Sequence, residues 1–70
     1  MRQKLYELRN KKGYRQQDVA LSIGISRRMY GFIESGNRNP SWEVAQRLEK
    51  FFGIPATELL AKTNKGSTGS

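Results

Sequence analysis

Apolar positions recur along this chain at helical spacing, cut into short runs by glycine and proline. In residues 2–12, RQKLYELRNKK, the positions Leu5, Leu8 and Lys12 fall on one stripe with Arg9 beside it. Lys11 and Lys12 suit a helix C-terminus, and Gly13 follows as a left-handed stop. Tyr14 then reads as an apolar anchor between helices, with a base contact as its other reading. A second helix is expected over 16–23, with Val19, Ala20 and Ile23 inward and Asp18 in its first turn. Arg15 holds its cap position and is a poor N-cap.

Gly24 turns the chain, and Ser26 is a good cap for a third helix through Ser35. Tyr30, Ile33 and Glu34 take the inner side of that helix. Arg27, Arg28, Gly31, Phe32 and Ser35 share the opposite side. After the turn at Gly36-Asn37, Pro40 and the cap Ser41 lead into a fourth helix over 42–52. Its apolar face carries Val44, Ala45, Leu48, Phe51 and Phe52, and Gly53 ends it. Ile54-Pro55 restarts the chain into a short last helix through Leu60. The expected organisation is one all-α domain over 1–61, a compact bundle of five short helices. The polar stretch 62–70 is expected to be a disordered tail.

The pair of helices over 16–35 has the layout of a helix-turn-helix, whose second helix lies in the DNA major groove. Two local rules are broken there. Arg27 and Arg28 crowd the positive end of a helix dipole. Gly31 sits in mid-helix at a cost of about 1 kcal/mol relative to alanine. Close approach to a groove wall would explain Gly31, as would tolerance by a well-packed domain.

Composition narrows the chemistry. Seventy residues without Cys or His exclude disulfides, zinc sites and the commonest acid–base catalysts. No paired-carboxylate constellation is present either, so neither enzyme activity nor a cofactor or metal is expected. No run is long and apolar enough for a membrane span, and no stretch at the start reads as a signal peptide. A cytoplasmic location is expected. Thirteen Lys+Arg against six Asp+Glu give a net charge of +7. That charge fits an anionic partner or a solubilising surface equally well. The helix-turn-helix pattern decides for nucleic acid.

LYELRNKKG, QQDVALSIGIS, IESGNRNPS and a helix closed by FFGI and ELL together resemble the Xre/Cro/phage-repressor family of DNA-binding proteins. The resemblance covers about residues 4–60. It implies a lambda-repressor-like five-helix bundle that binds a double-stranded DNA operator, usually as a homodimer. It places Arg27, Arg28, Gly31 and Phe32 on base-reading positions, although Gly31 offers no side chain there. Gln16 falls where the family contacts a phosphate or an outer base, and Asn37, Arg38 and Asn39 match a phosphate-gripping loop. Arg15, Gln17 and Ser26 complete the expected phosphate set. Arg9 and Glu34 match a semi-buried ion pair between helices one and three. Arg9 has a phosphate contact as its alternative, and Phe32 an exposed contact with a protein partner.

This chain departs from the family at several positions. Arg15 stands where Ser or Thr is general, Tyr30 where a smaller aliphatic is usual, and Gly31 and Phe32 replace common polar residues. The expected function is a transcriptional regulator, a repressor in the first instance. The alternative is an antitoxin or anti-repressor module that binds protein with the same fold. A dimer interface is expected at Phe51, Phe52, Ile54, Pro55 and Leu59, against the alternative that these side chains finish the monomer's own core.

Overall fold

A computed structural model describes residues 1–61 of the chain. Its five helices are α1 (Gln3–Lys11), α2 (Gln16–Ile23), α3 (Arg27–Ser35), α4 (Trp42–Phe52) and α5 (Ala56–Leu59). No strand occurs among the described residues. The tail expected at 62–70 lies outside them. Two serine caps start the helices where expected: Ser26 Oγ accepts from the Met29 N–H at 3.0 Å, and Ser41 Oγ from that of Val44 at 3.2 Å. The side chain of Arg15 caps nothing. Instead the Asp18 carboxylate accepts the Arg15 N–H at 2.8 Å, so one half of a capping box does the work.

The buried stripe of α1 differs from the expected one. Arg2, Leu5 and Arg9 are buried, Leu8 is half-buried and Lys12 is exposed. Because α1 ends at Lys11, the helical spacing no longer holds Lys12 to the stripe. Running the same spacing back from Leu5 reaches Arg2 instead.

Ala20 is buried where α2 and α3 pack, and its carbonyl accepts the Ile25 N–H at 3.0 Å across the turn. Gly24 makes that turn with a φ of +76°, a conformation in which a Cβ carries strain. A Cβ there would also stand 3.3 Å from Nη1 of Arg47. That nitrogen donates to the Ile23 carbonyl at 3.1 Å, closing the C-terminus of α2 from α4.

The core joins all five helices through Leu5, Val19, Ala20, Ile23, Tyr30, Ile33, Leu48, Phe52 and Leu59. Two residues expected at a dimer interface, Phe52 and Leu59, are instead buried in the protomer's own core, Phe52 on the inner face of α4 beside Leu48 and Leu59 on α5, which packs against α4 and α1. Phe51 and Ile54 are half-buried against that core and Pro55 is exposed. Tyr14 is not a core anchor: it is exposed at the surface and leans on Phe51, with ring centroids 5.3 Å apart. Among the described residues, no helix is long and apolar enough to cross a membrane and no side-chain cluster could hold a metal ion.

Candidate nucleic-acid interface

Burial of Tyr30, Ile33 and Glu34 fixes which side of α3 faces out. Arg27 and Arg28 stand exposed in its first turn, and among the described residues neither side chain makes a hydrogen bond or ion pair. Gly31 and Phe32 follow on the same side, half-buried. A Cβ on Gly31 would meet only Gln16 Oε1, at 3.6 Å, an ordinary contact. Packing within the protein therefore does not call for glycine there.

The N-terminus of α2 lies beside this row. Arg9, Arg15, Gln16, Gln17 and Arg27 line a shallow concavity of about 290 Å³. Arg15 and Gln17 are exposed, and the side chain of Arg15 has only a loose 3.8 Å approach to Asp18. The unsatisfied first-turn N–H groups of α2 and these arginines suit an oxyanion. Ser26, exposed at the start of α3, uses its oxygen as the cap and keeps its O–H to donate.

On the far side of α3 lies the loop 36–41. Asn37, Arg38 and Asn39 are exposed. The Arg38 N–H donates to the Phe32 carbonyl at 3.1 Å, and its guanidinium lies over the Phe32 ring, 5.8 Å from the centroid. Phe32 is thus brought together with the loop rather than standing alone on the helix. The Asn37 N–H reaches Ser35 Oγ at 3.4 Å. Asn39 is partly committed inward, because its Oδ1 accepts from Nη2 of Arg2 at 2.7 Å.

Beneath the exposed row sits a buried polar cluster. Arg9 donates from Nε to Glu34 Oε2 at 2.7 Å and from Nη2 to Oε1 at 3.2 Å. Gln16 Nε2 donates to Oε1 at 3.0 Å and Tyr30 Oη to Oε2 at 2.9 Å. Arg9 Nη1 also donates to the Tyr14 carbonyl at 2.8 Å. Burial alone would raise the Glu34 pKa, but hydrogen bonds from Arg9, Gln16 and Tyr30 outweigh it and hold the carboxyl below the ordinary range. The bond to Glu34 raises Arg9, and burial pushes the Tyr30 phenol well above its usual value, helped by the adjacent carboxylate. Gln16, expected at a phosphate, spends one amide hydrogen on Glu34 and keeps a second to donate.

Three residues escape a reading of the sequence. Neither motif nor resemblance gives Arg47 or Arg2 a task, whereas one closes α2 and the other is only 3% exposed. The α1 spacing run back to Arg2 is the available signal. Trp42 is 76% exposed at the start of α4, beside the cap of the same loop. Its place as the first helical residue leaves it off the apolar face.

A family model described as Helix-turn-helix matches residues 5–59. The chain is 34% identical over 58 residues to the cryptic phage CTXphi transcriptional repressor RstR of Vibrio cholerae, covering 83% of this chain and 52% of that protein. It is 37% identical over 65 residues to the HTH-type transcriptional regulator AnsR of Bacillus subtilis, covering 93% and 56%. A regulator of Archaeoglobus fulgidus is 32% identical over 59 residues, with 84% of each chain covered. The chain thus spans about half the length of RstR and AnsR and most of the archaeal protein. With the five-helix bundle and the matched span in agreement, the chain belongs to the Xre/Cro/phage-repressor family of helix-turn-helix transcriptional regulators.

Proposed function

We propose that this chain is a sequence-specific double-stranded DNA-binding regulator that acts as a repressor and reads the major groove with α3. The observation that carries this reading is the pair Arg27 and Arg28, exposed on a helix whose opposite side is wedged into the core. Arginine pairs through two hydrogen bonds with guanine O6 and N7. The residues in the first turn of a recognition helix are those that reach base edges. Phe32 follows on the same side to pack on a thymine methyl. Phosphates on the flanks are taken by Arg15, Gln16, Gln17 and Ser26 on one side, and by Asn37, Arg38 and Asn39 on the other. The repressor assignment is supported by the likeness to a phage repressor.

The same reading calls for two copies. An α3 of nine residues is about 14 Å long at the helical rise, whereas half-sites one turn apart are separated by ~34 Å. A twofold dimer supplies the second helix. The surface left for it by the core is Phe51, Ile54 and Pro55.

The test is selection of bound sequences from random duplexes, followed by a reporter gene placed behind the recovered site. A palindromic consensus and lower reporter output support the reading. Recovery of no consensus would remove sequence-specific recognition, and higher output would remove repression.

A further inference from the structure

Arg2 is buried, yet among the described residues no ion pair joins it to a carboxylate. Removing a guanidinium from water is expensive unless its donors are met. Here they are met by oxygens from three separate places. Nη1 donates to the Ile33 carbonyl at 2.6 Å and to the Arg38 carbonyl at 3.1 Å. Nη2 donates to Asn39 Oδ1 at 2.7 Å, and Nε to the Leu60 carbonyl at 3.0 Å. The Arg2 N–H adds a bond to the Glu34 carbonyl at 2.9 Å. Ile33 and Glu34 lie in the last turn of α3, where a cation is favoured by the helix dipole. Arg38 and Asn39 belong to the exposed loop, and Leu60 closes α5. One planar fork therefore ties the end of the exposed helix to the loop beside it.

We propose that Arg2 is a positioning residue for DNA binding, which holds the loop 37–39 at a set distance from α3 so that both meet the DNA backbone and bases in register. This rests on the reading of α3 and the loop as the DNA-contacting surface. The loop has few other anchors. Its amides at 37 and 38 bond back to Ser35 and Phe32, and among the described residues the buried group fastening its far end is Arg2. A loop that must be ordered during binding loses affinity to conformational entropy, so a preset loop contributes through the groups it presents. Lysine carries the charge but lacks the fork that spans carbonyl and amide oxygens together.

The experiment compares wild type with Arg2→Met and Arg2→Lys by two readings, at temperatures where each variant remains folded. The first is amide hydrogen exchange of Arg38 in the free protein, because that hydrogen bonds to the Phe32 carbonyl. The second is the salt dependence of binding to a random-sequence duplex. In Arg2→Met, exchange at Arg38 should quicken by about tenfold or more relative to core amides. The slope of log affinity against log salt should fall by about one, because one phosphate is no longer neutralised by the loop. Arg2→Lys should recover part of both. A lowered melting temperature with both readings unchanged would reduce Arg2 to a stabilising residue and overturn the proposal. If Arg2→Met does not fold, the two readings on Arg2→Lys decide, with Asn39→Ala, which removes one of the two bonds from Arg2 to the loop, expected to quicken Arg38 exchange by a smaller factor; unchanged exchange in both variants overturns the proposal. Wild type that binds no duplex would overturn the functional reading itself, which is distinct from binding whose slope the variants leave unmoved.

Discussion

Arg9 and Glu34 face each other across α1 and α3 in a two-point ion pair, with nitrogen–oxygen distances of 2.7 and 3.2 Å. Glu34 is 2% exposed, so its charge is stabilised by Arg9 together with the hydrogen bonds from Gln16 and Tyr30 rather than by water. Because Gln16 also holds this carboxylate, the pair fixes the start of α2 relative to α3 as well. The outer face that carries Arg27 and Arg28 is thereby set from beneath.

Removing one partner should destabilise the fold by about 3–5 kcal/mol, since a buried charge is left unpaired. Arg9→Met, Glu34→Gln and the double variant, compared by urea unfolding, check this. The double variant should recover part of the loss. Fully additive effects would mean that the two side chains are not coupled.

The same cluster sets a dependence on acidity. Glu34 is held below its ordinary pKa in the folded state, so its stabilisation is present above the unfolded value of about 4.3 and lost as pH falls through the folded value. Tyr30 is shifted upward, so its share is present below about 10 and lost as pH rises beyond. Unfolding free energy should therefore fall at both ends. Glu34→Gln should flatten chiefly the acid limb and Tyr30→Phe chiefly the alkaline limb, each moving the other limb less because the two groups share a hydrogen bond; limbs unaltered by these changes would place the titration elsewhere.

Gly31 separates stability from binding. In the free protein an added Cβ meets only ordinary contact with Gln16, and alanine is the better helix former by about 1 kcal/mol. Gly31→Ala should raise the melting temperature while weakening binding to a selected duplex, as the methyl intrudes where the helix nears the groove. Stability gained with affinity unchanged would show that Gly31 is merely tolerated.

The apolar residues near the C-terminal end divide into two kinds. Leu59→Ala should cost about 2–5 kcal/mol of stability, as a cavity in the core does. Ile54→Asp, at the half-buried edge, should leave the fold largely intact and reduce two-copy occupancy of an operator duplex, read by light scattering. One chain per duplex in the wild type would remove the dimer.

Helices and turns are legible in the sequence because periodicity, serine caps and glycines agree at the junctions, from Ser26 to Gly53. The side of α3 that faces out follows from Tyr30 and Ile33 at helical spacing. What escapes the sequence has a common physical cause. Arg2 and Arg47 are satisfied by main-chain carbonyls, and a partner that every residue carries leaves no mark in a sequence. Phe52 and Leu59 cannot be told from interface residues there, because apolarity reports burial, not whether a protomer or its copy supplies the cover. Asn39 looks like a free loop amide, and only its 2.7 Å approach to Arg2 shows an inward task.

The central claim is that Arg27 and Arg28 distinguish base sequence whereas the loop holds the backbone. It is tested most directly by titrating wild type, Arg27→Ala, Arg28→Ala and Arg38→Ala against a selected duplex and a random one in the same salt series. Each α3 variant should lose about 1–3 kcal/mol on the selected duplex and little on the random one. Arg38→Ala should weaken both alike and lower the salt slope by about one. Equal losses on both duplexes for Arg27→Ala and Arg28→Ala would make them phosphate contacts and contradict base reading by α3.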